Sequence, residues 1–492
     1  MRGKKRASSR LWSVRRRDSS AARRVIAASR RTAYGELQPL SMSSGWIMKE
    51  DGMDPRGVTS PQRTGIDRRR LLQAAGATGL ALGVGGRLNR STAAQDVTLT
   101  FLRHEHPPAN ALEKELIQQF QEENPGIKID FVTVPDVDLF TKFQAMSVAG
   151  TPPDIVNFGS TDIPAVWQRG LLAPVDLGAV GASSLEDVEG RYLPNALSGY
   201  VFDEQLYALP SELSDYVMWV NTQMLETAGV EVPRTWEELS TAGQKLMIRS
   251  GDQVTQEAIA LPLNFPGTQF LVLDAMVRQA GGQIFSDDGR EAFLTSDPVM
   301  KAVTTLAGFV QTDKITDPGL NGTTAGADRT LFENGVAAMM LTGGSWYRGT
   351  LLESKIGEAA IPVPFPRFEG GPDVAGDLYG YGLTVSANSA HPAEAWKFVG
   401  MLASHGTEYF DQADGLFIGD KVTAESDVAA EYPHWSTFQD ELGKGQYPPL
   451  LYQFNEIGDI VGRTADAIIR SGEDPKAALE AAQAQVTPLL NS

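Results

Sequence analysis

From Val97 onward, apolar residues recur first at every second position and then at every third or fourth, and the two rhythms alternate along the chain. Val97-Thr98-Leu99-Thr100-Phe101 predicts a strand, and Leu112, Leu116 and Phe120 then share one face of a helix. Asn124-Pro125-Gly126 stops that helix, and Ile127-Lys128-Ile129-Asp130-Phe131 alternates as a second strand. The next helix ends at Gly150, and Pro152-Pro153-Asp154 leads into the short strand Ile155-Val156-Asn157-Phe158. Later helices carry start signals. Thr235-Trp236-Glu237-Glu238 fits a capping box, in which hydroxyl and carboxylate each satisfy an orphan amide. Asp297-Pro298 opens a helix with Val299, Val303, Leu306 and Val310 on one face, and Asp474-Pro475 opens the last one. Trp236 and Trp396 fall on amphipathic helices and read as core. The alternation predicts an α/β fold with mostly parallel sheets. No internal repeat or long low-complexity linker interrupts the body, so any second domain is joined by short crossings.

Composition divides the chain in two. Residues 1–94 hold 20 Lys and Arg against 6 Asp and Glu, or +14; the remaining 398 hold 23 against 55, or −32. An acidic body repels phosphate, which excludes nucleic acid as partner. Within the basic leader, Arg68-Arg69-Arg70-Leu71-Leu72 precedes a Gly- and Ala-rich apolar run to Gly86, followed by small residues from Ser91 to Ala94. That order is a secretory signal of the twin-arginine type. The run is shorter than the roughly 20 residues a spanning helix needs, though an uncleaved anchor stays open. Met42, Met48 and Met53 offer later translation starts. There is no cysteine, hence no disulfide, thiol nucleophile or lipid-anchoring cysteine.

Four stretches together resemble the extracellular solute-binding proteins that take up maltose and other oligosaccharides for ABC importers. They are Ala149-Gly150-Thr151-Pro152-Pro153-Asp154-Ile155-Val156, followed by Gly170-Leu171-Leu172-Ala173-Pro174; the block from Tyr207-Ala208-Leu209-Pro210 through Trp219-Val220-Asn221 to Thr235-Trp236-Glu237-Glu238-Leu239; Phe332-Glu333-Asn334-Gly335, with Gly343-Gly344-Ser345-Trp346 behind it; and His391-Pro392-Ala393-Glu394-Ala395-Trp396. Val220 stands where that family usually has Tyr before the Asn. The resemblance implies a two-lobed periplasmic-binding-protein fold with discontinuous lobes, 95–207 plus 383–431 and 208–382 plus 432–492. Crossings are expected near Tyr207, Gly382 and Tyr432, after a leader of 1–94. It also implies an exported monomer that captures a neutral sugar between the lobes by hinge closure and delivers it to membrane permease subunits, without cofactor or catalysis.

A saccharide site needs hydroxyl-binding polar groups beside aromatic faces, beyond the strand ends of the sheets. Trp346, after the Gly-Gly turn, matches the family's aromatic platform, or is a core tryptophan. Asp162 occupies the loop where the family often places a sugar-binding Asp, or caps the helix holding Val166 and Trp167. Glu212 and Asp215 are candidate hydroxyl acceptors, or belong to a solvated loop. Trp219 belongs to the cleft or to a core strand. Tyr379 and Tyr381, two apart on a strand, point the same way. His104 and Glu105 end the first strand and are placed to touch ligand; with His106 they offer no telling third metal ligand. Only His104 and Arg348 supply positive charge near these positions, which favours a neutral ligand. No P-loop, His-Glu-x-x-His or Gly-x-Ser-x-Gly motif is present. Two carboxylates suffice for glycoside hydrolysis, so a carbohydrate-active enzyme is the alternative, as is a receptor that presents its ligand to a sensor.

Overall fold

A computed structural model describes residues 96–322 and 324–490. The basic leader, its arginine motif and the cleavage region lie outside the described residues.

The strands run, in chain order, β1 Val97–His104, β2 Ile127–Val134, β3 Ile155–Gly159, β4 Leu172–Ala173, β5 Val201–Phe202, β6 Gln205–Leu206, β7 Ala208–Asp215, β8 Met218–Asn221, β9 Ile248–Ser250, β10 Gln253–Ala260, β11 Ala337–Met340, β12 Ala360–Val363 and β13 Leu378–Ser386. One six-stranded sheet has the order β2-β1-β3-β13-β4, with β7 also on β13; one five-stranded sheet has the order β12-β8-β11-β10-β9. β5 and β6 form a separate hairpin.

The sheets are mixed, not mostly parallel. β1 runs parallel to β2 and β3, and β10 to β11, while β13 is antiparallel to β3, β4 and β7, and β8 to β11 and β12. The local α/β rhythm predicts only the parallel units; β13 arrives more than 200 residues after β3 and is invisible to it.

Each sheet has its own apolar core. The helix Pro107–Glu123 buries Leu112, Leu116 and Phe120 on the first, as its period requires, while Ala258, Phe270, Val303 and Ile457 belong to the second. Thr235 Oγ1 accepts from Glu238 N at 3.0 Å and Glu238 Oε2 from Arg234 N at 2.8 Å, while Asp474 caps the last helix through Ala477 N at 2.9 Å. Trp236 and Trp396 are core, each 1% exposed.

The chain passes between sheets later and earlier than the expected crossings. β7 lies wholly in the first sheet, so the first passage falls between Asp215 and Met218, not at Tyr207. The return is complete by Leu378, before Gly382. Leu442 packs in the first core and Leu451 in the second, which puts the third passage beyond Tyr432. The three passages touch: Leu378 N donates to Gln446 O at 2.8 Å, and Gly376 sits so close to the Tyr216 carbonyl that a Cβ there would collide with it.

Candidate functional site

β1 and β3 are parallel, so their C-terminal ends lie on one edge of the first sheet. The antiparallel register pairs Tyr381 of β13 with both Gly159 of β3 and Glu212 of β7, bringing those residues to the same edge. Gly380 has to be glycine, because a Cβ would run into the Glu212 carbonyl. At this edge a cleft of about 540 Å³ is lined by His104, Glu105, Asp162, Glu212, Tyr379 and Tyr381 on one side. Thr268 and Leu271 of the helix Pro266–Gln279, Arg329, Trp346 and Asn455 line it as well.

His104 is 5% exposed and held from behind. Asn157 Oδ1 accepts from Arg103 Nη1, and His104 Nδ1 lies 2.7 Å from that oxygen and 3.0 Å from Arg103 Nη1, donating to the first or accepting from the second according to its tautomer. His104 Nε2 lies 3.8 Å from Glu212 Oε2. Burial, and then the Arg103 charge, hold the His104 imidazole well below its usual pKa, so it is neutral. Burial pushes the Glu212 carboxyl up to about 7, against the pull of Arg103, and its Oε2 is buried without a hydrogen-bond partner. Arg103, itself buried, is anchored by Glu113 Oε1 at 2.6 Å.

Aromatic faces surround these polar groups. Tyr381 stacks on the His104 ring at 3.9 Å, and its hydroxyl donates to Asp136 Oδ1 at 2.5 Å. Tyr379 lies 4.7 Å from Tyr216, and its hydroxyl accepts from Trp346 Nε1 at 2.6 Å. Trp346 is half-buried, with its ring in the cleft lining.

Asp162 heads the helix Ile163–Gln168 without donating or accepting a side-chain cap bond; its Oδ1 accepts from Asn455 Nδ2 at 2.7 Å instead. That bond joins the end of β3 to the helix Phe454–Ser471, whose apolar face packs in the second core. Burial raises the Asp162 carboxyl to about 6. Glu105 is exposed at the rim. His106 accepts from Ala109 N at 3.4 Å and caps the helix Pro107–Glu123, and burial lowers its pKa to about 4.

Two expected site residues are elsewhere. Trp219 is fully buried: Met218 and Val220 face the second core, and the period of two turns Trp219 to the first, where Nε1 donates to Gly343 O at 2.9 Å. Asp215, 1% exposed, is no part of the lining; burial, and then Glu441, raise its pKa well above the usual carboxylate range. Arg348 does not supply the cleft's cation either, as its guanidinium approaches Glu358 at 3.4 Å. Arg329 lines the cleft in its place, with Asp136 and Asn455, and none of the three carries a local sequence signal.

Desolvated carboxyls beside aromatic faces, in a cleft between two cores, mark a candidate small-molecule binding site. Residues 105–409 match the model of the bacterial extracellular solute-binding protein family, and the chain belongs to that family. A putative binding protein of Brucella abortus (strain 2308) is 26% identical over 384 residues, 77% of this chain and 89% of that one. A multiple sugar-binding protein of Streptococcus mutans is 22% identical over 360 residues, 70% of this chain and 80% of that one. The GacH receptor of Streptomyces glaucescens, solved unliganded and in complex with acarbose, superposes with a TM-score of 0.70 at 19% identity, over 81% of this chain and 99% of the receptor. The fold is thus the two-lobed one of periplasmic solute receptors. Among the described residues no helix is long and apolar enough to cross a membrane.

Proposed function

We propose that this protein is the saccharide-capturing receptor of an ABC importer, and that it binds its ligand without turning it over. The observation that carries the reading is the lining of the cleft, where Trp346, Tyr379 and Tyr381 stand beside partly desolvated Glu212 and Asp162. Sugar C–H faces stack on the rings, and sugar hydroxyls bond to the carboxyls and to His104 Nε2. Several relatives bear sugar-binding names, which supports the same substrate class. The ligand is neutral where it meets the acidic wall of Glu105, Asp136, Asp162 and Glu212. It bridges the two lobes and favours their closed arrangement, which then docks as a monomer on a membrane permease. The leader exports the chain to the periplasm or the outer face of the cell membrane.

A glycoside hydrolase uses two carboxyls in one cleft, one protonated as acid and one ionised as nucleophile or base, and Glu212, pushed up to about 7, beside Asp162 favours that as the second reading. Prolonged incubation with the bound saccharide, followed by product analysis, separates the two. The receptor returns the saccharide intact; products above a no-protein control make it an enzyme.

A further inference from the structure

One wall of the cleft carries a cation whose donors no described residue takes. Arg329, on the helix Ala327–Glu333, lines the cleft, and its Nε is buried without a hydrogen-bond partner. Its sequence neighbour is turned elsewhere: Asp328 Oδ2 accepts from Thr342 Oγ1 at 2.6 Å. The guanidinium is held by rings, its carbon lying 5.5 Å from the centre of Trp346 and 5.7 Å from that of Tyr347. Ring faces attract a cation but accept none of its N–H donors in a fork. A guanidinium with free donors in a partly desolvated cleft is matched to a carboxylate, which takes two parallel N–H···O bonds.

The rest of the lining limits the ligand to one such charge. Glu105, Asp136, Asp162 and Glu212 would repel a polyanion or a phosphate dianion. A molecule with one carboxylate at one end and hydroxyls along the rest satisfies Arg329 and the acidic residues together.

We propose that Arg329 is the carboxylate-recognising residue of the cleft and that the ligand is an acidic saccharide, with a hexuronate carboxylate on Arg329 and its ring on Trp346. This rests on the saccharide reading above and narrows it. The test is calorimetric titration of the whole protein with matched pairs, glucose and glucuronate, galactose and galacturonate, mannose and mannuronate, and the disaccharides of each. Arg329→Met, which keeps the side chain's length without its donors, and Arg329→Lys, which keeps the charge without the fork, are titrated alongside. At least one uronate should bind roughly tenfold or more tighter than its neutral partner, as a charge-assisted bond implies. That preference, read within each protein as the ratio of uronate to neutral-sugar affinity, should vanish in Arg329→Met and shrink in Arg329→Lys. A neutral sugar that binds as well as its uronate, or a uronate preference that survives Arg329→Met, overturns the proposal and leaves the saccharide reading standing. Silence of the whole panel overturns both. Unligated melting of each variant shows that it is folded, and the ratio within each variant cancels any loss common to both sugars.

Discussion

Replacing Trp346 with Ala separates a ligand platform from a core residue. One ring face is roughly a third of the 150–250 Å² an aromatic side chain buries, about 50–80 Å². At about 25 cal/mol per Å² this contributes about 1.3–2 kcal/mol to ligand binding. Stacking adds about 0.5–1.5 kcal/mol, by analogy with aromatic pairs. The dissociation constant of Trp346→Ala should therefore rise by about 20-fold to a few hundred-fold. The unligated protein should also lose some stability, because the Trp346–Tyr379 hydrogen bond and the contact with Arg329 go with the ring. Those two are worth about 1 kcal/mol and about 0.5–1 kcal/mol, so the loss is about 1.5–2 kcal/mol. Trp219→Ala is the control: Trp219 is fully enclosed, and its loss should cost about 3–5 kcal/mol. Denaturant unfolding without ligand and calorimetric titration on the same preparations measure both quantities. A Trp346→Ala protein as destabilised as Trp219→Ala, with unchanged affinity in its folded fraction, would refute the platform.

Other expectations follow from the same geometry. Glu212 has a folded pKa raised to about 7 from an ordinary 4.5, so the folded state binds the proton more tightly and stability falls as pH rises between those values; Glu212→Gln should flatten that fall in melting curves taken across the window. Asn455→Ala removes the bond to Asp162 across the cleft and should weaken ligand binding by about fivefold, one net hydrogen bond, in the same titration. Lys in place of Arg68, Arg69 and Arg70 should leave folded precursor in the cytoplasm, whereas terminal sequencing of the exported wild type should begin near Ala94 or Gln95; normal export of the variant counts against the twin-arginine route.

The parts legible in the sequence are those fixed by neighbours in the chain. The capping box at Thr235, the cap at Asp474 and the apolar stripe of Leu112, Leu116 and Phe120 need only a few adjacent residues. The same holds for the strand-end position of His104 and for the shared direction of Tyr379 and Tyr381. What failed depended on distant partners. Period two places Trp219 opposite Met218 and Val220, but which face meets a core is decided by β11 and β12, more than 100 residues on. Asp215 reads as a loop acid until β13 is known to pair with it through Leu378. Asp136, Arg329 and Asn455 reach the cleft from helices that only the tertiary fold brings together.

Whether the cleft is built for a saccharide is decided by the melting temperature of the protein across one panel of ligands. The panel holds mono-, di- and oligosaccharides, sugar acids, sugar phosphates and amino acids at equal concentration. A ligand at a hundred times its dissociation constant stabilises the folded state by about 2.7 kcal/mol, which a melting curve resolves. A saccharide cleft gives a saturable rise with one or more saccharides or sugar acids and none with amino acids. Saccharides that leave the melting temperature unmoved while amino acids or phosphates raise it would refute a saccharide cleft.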